Sequence, residues 1–216
     1  MQDFTLSQII TNLLLATRWT IALSAIAFIG GGIVGFIVML MRISSNRLLR
    51  WPSMLYIELF EATPLIMQLF LVFFGISVVF GINLTTWTAA AISLTTYTSA
   101  FLADIWRGAV EAIPIGQWEA SKALGFSYFR QLQKVILPQA VRASIPPTVG
   151  FAVQVIKGTS LASVIGFIEL TRSASSISNV TFQPFLVYSM AAAIYFCLCF
   201  PLSLWSRRLE SQFSYQ

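Results

Sequence analysis

Glu119-Ala120-Ser121-Lys122-Ala123-Leu124-Gly125, followed by Ile136-Leu137-Pro138, is the stretch on which the reading of this chain turns. Ala120, Ser121, Ala123 and Gly125 are small, so the surface of another protein can approach closely. Glu119 and Lys122 supply charge at the rim. The surrounding segment from Pro114 to Pro138 is too polar to cross a bilayer. Trp118, Ala120, Leu124 and Phe126, then Phe129, Leu132 and Val135, recur as they do in short amphipathic helices at a membrane surface. The bland interpretation is a basic interfacial helix pair. The sharp one is a docking element that returns the chain into the membrane.

Composition supplies that membrane. Hydrophobic residues make up 57% of the 216 residues and charged ones 10%, where a soluble domain carries about 25% charged residues. Each span needs about 20 apolar residues, so several fit and no separate soluble domain is expected. The net charge of +5 could suggest nucleic acid. The basic residues instead sit in short loops between apolar runs, as topology signals do, so the bilayer is the expected partner and nucleic acid is not. Cys197 and Cys199 are two apart on a helix and face different directions, which argues against a disulfide. The absence of His removes His-based triads, zinc sites of the His-Glu-x-x-His kind and imidazole relays, and no metal is expected. Asp3 stands near the N-terminus instead of a basic cluster, and no cleavage signal follows, so the first apolar run reads as a retained span.

Five apolar runs are visible: about 13–41, 54–80, 87–105, 147–168 and 185–205. Backbone groups cannot stay unpaired in lipid, so these runs are helices. The fold class is therefore an all-α integral membrane protein with five transmembrane helices. Pro52, Pro114, Pro138, Pro146, Pro147 and Pro184 are expected near helix ends. Orientation follows from Lys and Arg. Arg42, Arg47, Arg50, Arg107, Lys122, Arg130, Lys134, Arg142, Arg207 and Arg208 fall on one side of a five-span chain, and only Arg18 and Arg172 on the other. The expected topology has the N-terminus outside and the C-terminus in the cytoplasm, on the same side as the Glu-Ala stretch.

That stretch resembles the cytoplasmic coupling loop of permease subunits of binding-protein-dependent ABC importers. Tyr56-Ile57-Glu58-Leu59-Phe60-Glu61-Ala62-Thr63-Pro64-Leu65-Ile66-Met67-Gln68-Leu69 is similar to the second-helix signature of the polar amino acid branch of that family. Lys157-Gly158-Thr159-Ser160-Leu161-Ala162-Ser163-Val164-Ile165-Gly166 looks like its fourth-helix signature. The three occur in the family's order. The resemblance implies a single permease domain over 1–216, with a coupling loop at about 113–139. Glu119, Ala120, Ser121, Leu124 and Gly125 would contact the ATPase. It further implies two ATPase subunits holding ATP and Mg, a second identical or homologous permease, a periplasmic or lipid-anchored solute-binding protein, and residence in the bacterial inner membrane. Two positions depart from the family. Glu61-Ala62 stands where Arg-Gly usually precedes Thr-Pro, and Gly158 stands where Asp often follows the Lys.

An ionisable group inside the membrane costs roughly 2.5–3.5 kcal/mol on insertion scales and defaults to a functional reading. Glu58, Glu61, Asp104 and Lys157 qualify. Glu58 and Glu61 are three apart and share a helix face with Leu65 and Gln68. Lys157 shares one with Gln154, and Thr159 and Ser160 follow Gly158. Glu58, Glu61, Gln68, Lys157, Thr159 and Ser160 are the candidate substrate-binding residues. The alternatives are a structural salt bridge from the glutamates to Lys157 or Arg107, a local Asp104–Arg107 pair, and plain helix packing at Lys157. Gly30, Gly31, Gly32 and Gly35 suit a helix-packing surface. They are not a phosphate loop, because no Gly-Lys-Ser/Thr follows them, so the chain itself has no catalytic residues and ATP hydrolysis is expected in a separate subunit. The second carboxylate on α-helical face 58–61 favours a basic amino acid as substrate, with neutral or acidic ones (glutamine, glutamate) as the alternative. Two other classes compete. A membrane-embedded enzyme would have to rest on a Ser160–Lys157 pair, and nothing else supports one. An ion-coupled secondary transporter usually has more spans and an internal repeat.

Overall fold

The computed structural model describes residues 5–213. Helix α1 spans Leu6–Arg42. Thr5 and Gln8 exchange side-chain and backbone hydrogen bonds at its start and satisfy two otherwise orphaned donors. Helix α2, Arg47–Ala62, is capped by Asn46. Helix α3, Leu65–Phe80, leaves α2 at a bend of 105°. Helix α4 covers Thr86–Glu111 and α5 covers Ile115–Ala123. Helix α6 runs continuously over Tyr128–Ile165, with a π-helical stretch at Leu132–Ile136 and a 3-10 end at Thr159–Ile165. Helix α7 is Leu170–Thr181 and α8 is Pro184–Phe213.

Helices α1, α6 and α8 are long and apolar enough to cross a membrane, and α2–α3 makes a fourth crossing if the bent pair is taken as one. Helix α4 has 26 residues, about 39 Å of helix. Its weak apolarity has a physical cause: it sits in the middle of the bundle and not against lipid. Ala89, Ala90, Ser93, Leu94, Thr98, Ser99, Ala100, Leu102 and Ala103 are buried along it. Ser93, Thr96 and Ser99 turn their hydroxyls onto the helix's own backbone, as Ser93 does by donating to Ala89 O at 2.8 Å.

Two sequence expectations need correcting. The run from 54 to 80 is not one straight helix. Pro64 disfavours helical backbone at Thr63, which is extended at φ −105°, ψ 135°. Pro52, Pro146 and Pro147 do not mark ends; they lie inside helices. Ser206 of α8 donates to Pro146 O at 2.9 Å, which ties α8 to the proline pair. Pro114 and Pro184 do stand at helix starts.

The direction of each helix follows from who meets whom. Trp19 meets Trp87, Gly30 meets Thr95, Gly35 meets Ala103, and Phe36 meets Trp106, so α1 and α4 run parallel. Trp106 Nε1 donates to Thr148 at 2.9 Å, while Trp87 packs on Phe167, so α6 runs against α4. Gly150 meets Ser206, while Val155 and Ile156 line a cavity with Leu198, so α8 runs against α6 again. One core cluster at the base joins Met39, Ile57, Val110, Leu132 and Ile136. A cluster at the opposite end joins Ile9, Leu13, Leu170, Ala174 and Val187.

The glycines of α1 explain its close seat on α4. A Cβ on Gly31 would lie 2.7 Å from Thr98, and one on Gly35 would lie 2.7 Å from the backbone oxygen of Ser99. On Gly32 the nearest atom would be Trp106 at 3.8 Å. Gly31→Ala and Gly35→Ala should therefore each cost about 1–3 kcal/mol through overpacking, while Gly32→Ala should be close to neutral. Thermal unfolding in detergent checks the contrast. Equal melting temperatures for all three variants would contradict this packing.

Candidate functional site

At the base of the bundle, α5 lies between the end of α4 and the start of α6. Lys122 O accepts from Gly125 N at 2.9 Å and Ser121 O from Phe126 N at 3.2 Å. This closure of the α5 C-terminus places Gly125 at φ +78°, a left-handed backbone that glycine adopts without steric cost. Glu119, Ala120, Lys122, Leu124 and Gly125 are exposed, and nothing lies within 4 Å of a Cβ built on Gly125. Ile115, Leu124 and Phe129 are 73%, 75% and 69% exposed, so the segment presents a bare apolar face. Ser121 differs from the expectation for an approachable surface. It is buried, and its hydroxyl donates to Trp118 O at 3.0 Å, so it serves the internal packing of the loop.

Helix α6 begins beside Phe129 and ends in the Lys157–Ile165 signature without interruption. Its 38 residues make a rod of about 57 Å. At the far end a Cβ on Gly158 would meet Leu65 at 3.3 Å and Leu94 at 3.6 Å. The rod thus reaches from the exposed apolar face to the first turn of α3, just past the α2–α3 break. Gln68 stabilises that break. Its amide nitrogen donates to Phe60 O at 2.9 Å, Thr63 O at 3.1 Å and the Thr63 hydroxyl at 2.9 Å. Thr159 is fully buried and donates to Ile156 O, and Ser160 donates to Lys157 O. Gln68, Thr159 and Ser160 therefore have their donors engaged at the backbone breaks of the two signatures.

The charged candidates separate into two places. Glu58 and Glu61 are exposed on α2. Glu61 lies within electrostatic reach of Asp104 and Arg107 on α4, and Tyr97 within reach of Glu61. Arg107 is held by Asp104 at 2.7 Å and by Glu111, which gives the expected local pair and a third carboxylate besides. Two carboxylates therefore hold the guanidinium, and Glu61 adds a third negative charge within electrostatic reach but not in contact. Lys157 is exposed on the side of α6 toward Cys199 of α8. Among the described residues neither Glu58 nor Glu61 forms a salt bridge with Lys157 or Arg107.

Sequence reading missed Glu169. It is fully buried and caps α7 through Thr171 N at 2.9 Å and Arg172 N at 2.8 Å. It also accepts from the Tyr195 hydroxyl at 2.8 Å. Thr20 of α1 completes the cluster by accepting from Leu170 N at 3.2 Å. Burial pushes the Glu169 carboxyl above its ordinary range, while the hydrogen bonds pull it back. Glu169→Ala should remove the acceptor of three part-buried hydrogen bonds, at about 1–3 kcal/mol in all. Glu169→Gln keeps an acceptor, so melting temperatures should fall in the order native, Gln, Ala. An Ala variant as stable as the native chain would contradict this role.

A bundle of helices long and apolar enough to cross a membrane thus carries an exposed apolar segment at its base, joined by one continuous helix to a broken-helix region. Residues 31–215 match the family described as binding-protein-dependent transport system inner membrane component, and the chain belongs to that family. Within it, the chain is a permease of an amino-acid ABC importer, a subunit distinct from the ATPase. It is 39% identical over 193 residues to the L-cystine transport system permease protein TcyB of Bacillus subtilis, covering 89% of this chain and 82% of that one. It is 30% identical to the histidine/lysine/arginine/ornithine transport system permease protein HisM of Salmonella typhimurium, over 90% of this chain and 85% of that one. A crystal structure of an amino acid ABC transporter with histidines superposes with a TM-score of 0.88 at 33% identity, covering 96% of this chain and all of the other. Membership implies ATPase subunits and a substrate-binding protein as partners, in a bacterial inner membrane.

Proposed function

We propose that this chain crosses the membrane five times, N-terminus outside, and forms half of a pore for cationic amino acids. Two permease copies, or this chain and a homologue, would stand on two ATPase subunits that bind ATP and Mg, with the binding protein delivering from outside. The parallel course of α1 and α4 supports five crossings. Two parallel crossings need a return between them, and α2–α3 is the segment available. The basic residues support the orientation: Arg42, Arg107, Lys122, Arg130 and Arg208 all belong to the end of the bundle that carries α5. Cysteines at positions 47, 83, 122 and 176, all exposed, introduced after replacing Cys197 and Cys199 by Ser, give the readout. Impermeant maleimide should label 83 and 176 in intact cells and spare 47 and 122. Labelling of 122 from outside would refute the orientation.

The observation that carries the substrate reading is the surplus of carboxylates around Arg107, with Lys157 on another side of α6. Among relatives, the name of HisM favours a cationic substrate and that of TcyB a neutral one. The reconstituted complex with its binding protein, tested against a panel of amino acids, separates them. Arginine, lysine or histidine should stimulate ATP hydrolysis more than glutamine, cystine or glutamate; a reversed order would refute the cationic preference.

A further inference from the structure

Two cavities at the α5 end of the bundle share Val110. The first, ≈ 290 Å³, is an apolar slot between α1, α4 and α6, with Phe36, Met39, Trp106, Val110, Val141 and Ile145 among its walls. Phe36 and Val141 are 45% and 55% exposed at its rim, so the slot opens at the side of the bundle. The second, ≈ 300 Å³, is polar and is walled by Arg42, Arg50, Glu111, Trp118 and Tyr128. Its frame is fixed. Tyr128 donates to Ile43 O at 3.0 Å, and its ring stacks on Trp118 with centroids 6.0 Å apart. Glu111 is already engaged by Arg107. Among the described residues neither Arg42 nor Arg50 has an ion-pair partner.

Met39 and Arg42 are one turn apart on α1, so the apolar slot passes into the cationic cavity along a single helix face. We propose that this composite cleft binds an anionic diacyl phospholipid of the cytoplasmic leaflet, with part of an acyl chain in the slot and the phosphate between Arg42 and Arg50. A bare phosphate would leave the slot unused, and a zwitterionic lipid would leave the surplus positive charge unanswered. Guanidinium groups match phosphate oxygens in geometry. Basic pockets between transmembrane helices on the cytoplasmic side are suited to anionic headgroups. The bound headgroup would touch Trp118, a residue of α5, and so would brace the docking segment from its membrane side. The leaflet named rests on the orientation proposed above; the lipid preference does not, and it is read without transport.

The test is native mass spectrometry of the assembled transporter, released from detergent with phosphatidylglycerol or phosphatidylcholine of identical acyl chains. The native complex should retain phosphatidylglycerol severalfold better, and the double variant Arg42→Gln, Arg50→Gln should lose that preference. Val141→Trp, placed at the exposed rim of the slot, should weaken retention of both lipids. Equal retention of the two lipids by the native complex would overturn the proposal. So would an unchanged preference in the double variant, or oleate displacing phosphatidylglycerol at equal concentration. A preference seen in the separated permease that vanishes on assembly would assign the arginine cavity to the ATPase and equally overturn it.

Discussion

Gly125→Asp is expected to abolish ATP-driven uptake while leaving the permease folded and inserted. Asp is among the few side chains that visit left-handed backbone readily, and the φ of +78° at Gly125 is met by open space in the subunit itself. The damage then falls on the docked state. An uncompensated charge buried against a partner costs about 3–5 kcal/mol, which is on the order of a hundredfold or more in a binding equilibrium. Gly125→Asn, an uncharged isostere, should lose much less. Pull-down of the ATPase with each variant, beside uptake in cells, checks both. Normal uptake with Gly125→Asp would contradict a docking role for this loop.

The second large effect is expected at Glu61. Glu61→Arg changes the local balance by two charges beside Asp104 and Arg107. The ratio of lysine to glutamate uptake should fall by at least about tenfold, equivalent to about 1.4 kcal/mol between the two substrates. Glu61→Gln should fall between the native chain and Glu61→Arg. If both variants keep the native ratio and the native apparent affinities, Glu61 does not face the substrate, and selectivity belongs to the binding protein.

The contrast between what the chain announces and what it conceals has a physical basis. The exposed turn that closes α5 is legible because its information is local: small residues, a glycine at the turn and rim charges lie within seven positions. The glycine seam of α1 is legible for the same reason, since close packing against a neighbour needs small side chains whichever helix it meets. Ser121 defeats the same logic, because a small residue serves an internal contact as well as an external one. The 105° break between α2 and α3 is hidden from a hydropathy reading, which averages across it, although Thr63-Pro64 marks the place. Glu169 is hidden more deeply. Its partners Thr20 and Tyr195 lie 149 and 26 residues away in sequence, so only the assembled bundle distinguishes this glutamate from a surface one. The candidate pore residues divide likewise. Local spacing puts Glu58 and Glu61 on one face, but the charges within reach of Glu61 are Asp104 and Arg107 of α4, with Lys157 near Cys199 instead.

The most direct test of the account is amino-acid uptake into proteoliposomes that contain this permease with its ATPase, with binding protein outside and ATP and Mg inside. The account predicts uptake that requires internal ATP, requires the binding protein, and is lost when the ATPase carries an inactivated nucleotide site. Uptake that continues without ATP and follows an imposed proton or sodium gradient would contradict it.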